Sequence, residues 1–185
     1  MPILGSLASS VQKITGSFES IASATGTGSS GTITFSSIPS TYQHLQIRGI
    51  FRSDVGSQAT NLSIQLNNTG GAPYARHLLE ADGSATSVSA NTAQTSMVVG
   101  YATAASQAAN IVAPWIIDIH DYASSTKSKV IRNFGGYDAN GSGYLFLSSG
   151  LQPATTAITR IDIVFLNGSN FTTATRVALY GIRGA

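Results

Sequence analysis

The densest grouping of side chains able to hold a metal or move a proton is Asp118-Ile119-His120-Asp121. On a strand Asp118 and His120 share a face, a spacing that metal ligands sometimes use. No further histidine lies nearby in sequence, so the pattern reads more simply as the polar end of an exposed strand. His44 and His77 read as surface or core-edge residues. The eight carboxylates are Glu19, Asp54, Glu80, Asp82, Asp118, Asp121, Asp138 and Asp162. A glycosidase sets two such groups on either side of the scissile bond, and spacing along the chain does not show which of these meet. The absence of cysteine removes disulfides, thiol nucleophiles and Cys-based zinc sites. No nucleophile elbow, H-E-x-x-H helix or P-loop occurs. Gly26, Gly28 and Gly31 have the spacing of a dinucleotide fingerprint. A strand pattern, Thr32-Ile33-Thr34-Phe35, follows them where a pyrophosphate site needs a helix N-terminus. The glycine run therefore reads as a hairpin loop. The chain is expected to be no enzyme, with no cofactor and no metal.

Composition points the same way. Only 10% of the residues are charged, against about 25% in an average soluble domain. Ser, Thr, Gly, Ala and Asn fill the difference, which favours a β-rich domain with hydroxyl-covered surfaces. Apolar residues still reach 42%, so a core is available and disorder is excluded. The net charge of +2 and pI near 9.0 suggest a nucleic-acid partner. However, the ten basic residues are scattered, and only Lys127, Lys129 and Arg132 stand close together. That small cluster reads as a solvated strand end, and no nucleic acid is expected. No apolar run approaches the roughly 20 residues of a membrane span, and MPILGSLASSVQKITG lacks the basic start and apolar core of a secretory signal. No membrane association is expected.

The elements that would position any site are strands. In His44–Arg52, Leu45, Ile47, Gly49 and Phe51 alternate with His44, Gln46, Arg48, Ile50 and Arg52. That period of two predicts a half-buried strand, with Arg48 and Arg52 outward and open to a partner. Further strands are expected over Phe18–Ala24, Thr32–Ser36, Asn61–Asn67, Thr95–Ala102, Ile111–Tyr122, Lys129–Tyr137, Tyr144–Ser149, Thr159–Leu166 and Arg176–Arg183. Tyr74–Ala81, YARHLLEA, is the best short helix, and the polar segment running to Gln94 is a long loop that covers a surface or meets a partner. Tyr42, Tyr74, Tyr122, Tyr137 and Tyr144 fall at strand ends, the usual place for packed rings with hydroxyls in water. Short strands with turn-rich connectors predict an all-β domain, a jelly-roll-like two-sheet β-sandwich over residues 17–185. A short N-terminal arm, residues 1–16, precedes it. Within the arm Ile3, Leu4, Leu7 and Val11 recur at three- to four-residue intervals, as anchors on a neighbouring subunit would. Several strands are apolar on both faces, Ile116 beside Trp115 for one, so one outer sheet face is expected to be buried by another subunit.

Three segments carry a family resemblance. They are Ser17–Ala22 (SFESIA), Ile33–Arg48 (ITFSSIPSTYQHLQIR) and Ala178–Gly184 (ALYGIRG). Together they resemble a family of tailed-bacteriophage virion proteins common among phages of cyanobacteria and other aquatic bacteria. The blocks bracket nearly the whole domain. Members are described as capsid decoration or cement proteins and as tail or fibre components, and no catalytic motif transfers. The resemblance implies a virion structural protein, and the expected location is the capsid exterior. The short chain, with no long shaft, and the apolar arm favour a decoration protein bound to the major capsid protein, associating with itself as a homotrimer. The alternative is a tail-fibre or receptor-binding head that recognises host glycans.

Overall fold

The computed structural model describes residues 16–69, 71 and 74–184. They form twelve strands: β1 (Phe18–Thr25), β2 (Thr32–Phe35), β3 (His44–Phe51), β4 (Ala59–Leu66), β5 (Tyr74–Ala81), β6 (Thr86–Gln94), β7 (Met97–Thr103), β8 (Ala113–His120), β9 (Lys129–Asp138), β10 (Gly143–Gln152), β11 (Ile161–Val164) and β12 (Arg176–Ile182). Among the described residues there is no helix. The arm residues Ile3, Leu4, Leu7 and Val11 lie outside the described part of the chain.

Two antiparallel sheets pack as a sandwich. The small one has the order β2-β11-β4-β7, and the large one β1-β12-β3-β8-β9-β10-β5-β6. From β2 onward the chain crosses repeatedly between sheets, small for β2, β4 and β7, large for β3, β5, β6 and β8. This is a jelly-roll path. It is enlarged by the β9–β10 hairpin, which sits between β8 and β5, and by β1 and β12 beside β3.

Alternation decides what is buried. Leu45, Ile47 and Phe51 of β3 point into the core, as do Trp115, Ile117 and Ile119 of β8. The small sheet meets them with Ile33, Phe35, Leu62, Ile64, Leu66, Ile161 and Ile163. Trp115 is the largest of the fully enclosed side chains. Its indole N–H donates to the Tyr101 carbonyl on β7 at 2.9 Å, and its ring stands edge-on to Phe146 at 5.5 Å. Space for that ring exists because two neighbours are glycines. A Cβ at Gly100 would lie 2.1 Å from the ring, and one at Gly135 would lie 2.6 Å away.

Three sequence expectations are overturned. Tyr74–Ala81 is strand β5, paired with β10 on one side and β6 on the other. Its residues are good helix formers, but intrinsic propensity is a weak prior that two ladders of hydrogen bonds override. The polar segment before Gln94 is strand β6, not a loop. The glycine run Gly26–Gly31 leads from β1 in one sheet to β2 in the other, so it is an inter-sheet crossing rather than a hairpin. Its position is set by Gly26 N–H to Thr175 O and Gly28 N–H to Phe171 O.

The Trp115 seat gives a stability prediction. Gly100→Ala drives a methyl into the ring at a backbone φ of +150°, costing about 3 kcal/mol, an overpacking penalty. In thermal unfolding this lowers the midpoint by about 6–12 °C for a chain of this size. Gly56→Ala, with nothing within 4 Å of the added atom, leaves the midpoint unchanged.

Candidate functional site

The feature that folding leaves unexplained is the outer face of the large sheet. Of the ten large apolar side chains exposed among the described residues, nine lie there; Leu166 is the exception. Register brings them into rows. Val88 stands opposite Leu79, Leu79 opposite Leu147, Leu147 opposite Phe134, and Phe134 opposite Ile116. This row crosses β6, β5, β10, β9 and β8, about 20 Å at the usual strand spacing. Its members are well exposed: Val88 77%, Leu79 47%, Leu147 49%, Phe134 52% and Ile116 39%. Leu145 on one side, with Leu151 and Val130 on the other, widen it. Scattered single hydrophobics need no account, whereas a contiguous patch marks a contact surface.

Polar groups border and cross the patch. Arg48 lies opposite Ile116, donates to Gln46 at 2.6 Å, and stacks its guanidinium 5.1 Å over the Phe18 ring. Gln46 in turn donates to Asp118 at 2.6 Å, and Asp118 lies opposite Arg132. Two open grooves run over the same surface. One, of about 810 Å³, lies between the β5–β6 and β9–β10 hairpins, with Asp82, Phe134, Asp138 and Tyr144 in its walls. The other, of about 480 Å³, has Arg48, Ile116, Phe134 and Arg176 around it. Pro114, Phe134 and Gly135 belong to both, so the two are continuous.

The Asp118–Asp121 cluster is placed as its spacing implies, with Asp118 and His120 on this outer face. Its partners make it structural. The Asp121 N–H donates to His44 Nδ1 at 3.0 Å, which puts the neutral His44 proton on Nε2. The Asp121 carboxylate pairs with Lys127 at 2.7 Å. His120 lies edge-on to His44 at 5.1 Å, and its own Nε2 is buried without a hydrogen bond. Among the described residues no three His, Asp or Glu side chains gather as a metal would need. Each of the eight carboxylates has a structural partner, from Glu19 with Tyr42 to Asp162 with Thr34 and Arg160.

Four side chains expected to reach solvent do not. Arg52 is buried, and its guanidinium donates to the carbonyls of Gln107, Ala108 and Ile111 at 2.8–3.0 Å. It ties down the loop before β8 and is withdrawn from any partner, whereas Arg48 faces outward as expected. Lys129 is also buried, and its ammonium donates to the carbonyls of Ser124, Lys127 and Thr155. The basic cluster therefore splits: Lys127 pairs with Asp121, Lys129 staples a loop, and Arg132 alone joins the outer face. The hydroxyls of Tyr74 and Tyr122 are turned inward too. Tyr74 accepts the Leu66 N–H at 2.7 Å, and Tyr122 donates to the Pro39 carbonyl.

Sequence reasoning named Ile116 and missed the rest of the row. The signal was present in β10, where Leu145, Leu147 and Leu151 alternate with Phe146, Ser148 and Gln152. Each of the two sets could have been the inward one, and only the partner strands decide.

No family model matches the chain, no curated protein matches it, and no solved structure matches its fold. Fold and site together define a class: an all-β, jelly-roll-like sandwich with an exposed apolar sheet face.

One titration follows from the His120 environment. Burial first, then His44 and Arg132, hold its imidazole below the ordinary value of 6.5, against the pull of Asp118 and Asp121. The unfolded chain therefore takes up this proton before the folded one does. The corresponding stability is fully present above the free imidazole value and is lost as pH falls through the lowered folded one. Denaturant midpoints measured between about pH 7 and 5 should fall with pH, and His120→Asn should flatten that slope.

Proposed function

We propose that this chain is a phage virion structural protein, a capsid decoration (cement) protein that seats the outer face of its large sheet on the major capsid shell. The observation that carries the proposal is the row Val88–Leu79–Leu147–Phe134–Ile116. Five strands present apolar side chains to solvent in register, on a domain with few charges to keep such a face apart from other surfaces. A face of this kind is stable when another protein covers it, with an apolar centre and a polar rim. Arg48, Arg132 and Asp118 supply that rim. The blocks SFESIA, ITFSSIPSTYQHLQIR and ALYGIRG support the virion assignment by resemblance, and residues 1–15 would add apolar anchors through Ile3, Leu4, Leu7 and Val11.

The groove beside the β9–β10 hairpin favours a second reading, a receptor-binding head. Phe134 offers a ring face, and Asp82 and Asp138 offer acceptors for sugar hydroxyls.

Co-sedimentation with empty capsids separates the two. Phe134→Asp with Leu147→Lys places two charges in the middle of the row, of opposite sign because the two positions are cross-strand partners, while leaving the core intact. Affinity for capsids should drop at least about tenfold, since each lost apolar contact is worth roughly 1–2 kcal/mol, with little change in the unfolding midpoint. Deleting residues 1–15 should weaken binding as well. Unchanged capsid binding by both variants, or binding only to host cells or lipopolysaccharide, would overturn the decoration reading.

A further inference from the structure

The large sheet ends in β6, and all nine of its residues are exposed on both faces. A free strand edge is a template for another strand, and proteins usually blunt it with charge, proline, a bulge or brevity. The other three edges of this sandwich are treated in that way. β1 carries Glu19 and a register shift between Ser20 and Ala22, β2 has four residues, and the ladder of β7 shifts opposite Leu62 and Ser63. β6, Thr-Ser-Val-Ser-Ala-Asn-Thr-Ala-Gln, has no charge and no proline. Its irregularity is confined to the far end, where the register with β5 shifts between Tyr74 and Arg76 and Ala93 takes a φ of 56°.

The hydrogen-bond pattern shows what the edge offers. The Asp82 N–H donates to the Ala85 carbonyl at 3.2 Å, closing the turn through Gly83 and Ser84. Bonded and non-bonded pairs then alternate along an antiparallel ladder. Val88 faces Leu79 in a non-bonded pair, as do Thr86 with Ala81 and Ala90 with His77. The N–H and C=O groups of Thr86, Val88 and Ala90 therefore point away from β5, to the open side. These three positions are symmetric about Val88.

We propose that two copies of this chain join edge to edge through β6, antiparallel about a two-fold axis at Val88. Val88 then pairs with Val88 of the second copy, and Thr86 with its Ala90 in both directions, closing six backbone hydrogen bonds. The register also abuts the two apolar rows, so that Val88, the most exposed large apolar side chain among the described residues, gains an apolar neighbour. An edge without charge does not repel its own copy, and a self-complementary register suits a second copy better than an unrelated strand. The pairing needs no capsid, so it stands or falls independently of the decoration reading. Its two-fold order differs from the homotrimer expected of a decoration protein.

The test is the mass of the full chain in solution, by light scattering on a sizing column, at the highest soluble concentration. Twice 19.1 kDa is expected. Val88→Pro removes an outward donor that β5 does not use, so the hairpin is kept while the mass should halve. A monomeric parent chain overturns the proposal, as does a dimer or trimer that Val88→Pro leaves unchanged. A second measurement covers a misfolded proline variant. The chain has no cysteine, so Val88→Cys introduces a single thiol. In a bonded antiparallel pair the Cα atoms lie about 5.5 Å apart, within disulfide reach. Oxidation should give covalent dimers of Val88→Cys and none of Leu166→Cys, whose exposed site lies off this face. Equal cross-linking of the two, or none of either, overturns the proposal.

Discussion

The packing of Trp115 against Gly100 is the contact on which the rest of the structure depends. The indole projects from β8, near the middle of the large sheet, toward β7 in the small one, and its N–H is fixed to the carbonyl of Tyr101. A ring that size fits between two sheets only where the facing backbone carries no side chain, and Gly100 and Gly135 provide the gap. Once Trp115 is seated, period two leaves no freedom for its neighbours. Pro114, Ile116 and Asp118 must face outward, and through cross-strand register so must Phe134, Leu147 and Leu79. The solvent-facing row is therefore a geometric consequence of the core, because a one-residue slip would exchange the two faces entirely.

That consequence would be avoidable if the outward positions were polar, as they are in most antiparallel sheets with one wet face. Here they remain leucine, valine, isoleucine and phenylalanine. Charge is meanwhile drawn inward: Arg52 and Lys129 are used to satisfy loop carbonyls, and Asp162 to hold Arg160 and Thr34. A chain with so few charges that places several of them in structural roles keeps an apolar outer sheet face. That distribution leaves the carboxylates committed to turns and ladders.

How much of this was legible in the sequence differs element by element. β3 and β8 were clear, because Leu45, Ile47, Phe51, Trp115, Ile117 and Ile119 alternate with polar or smaller residues. β5 was hidden because Ala, Arg, Leu and Glu prefer helices, and pairing on both sides outweighs that preference. β6 was hidden because a strand with both faces in water has no hydrophobic period to detect. Arg52 shows a different limit. It continues the outward phase of β3 by count, yet it lies one residue past the strand, where the chain turns and an isolated bridge to Thr103 takes over. Its guanidinium is then carried to carbonyls some 55 residues away in sequence, a partnership no local pattern encodes.

The candidate surface has a topological origin. A plain jelly roll gives two sheets of four strands. In this chain the β9–β10 hairpin is inserted between β8 and β5 in the large sheet, while the small sheet keeps four strands. The insertion contributes Phe134, Leu145, Leu147 and Leu151 to the outer face. It also pushes β5 and β6 sideways by two strand widths, about 10 Å. β7 still packs over β8, β9, β10 and β5, but β6 extends past that cover, exposed above, below and along its edge. One added hairpin therefore widens the apolar face and opens the strand that ends it, so a face and an edge that look separate share a single cause.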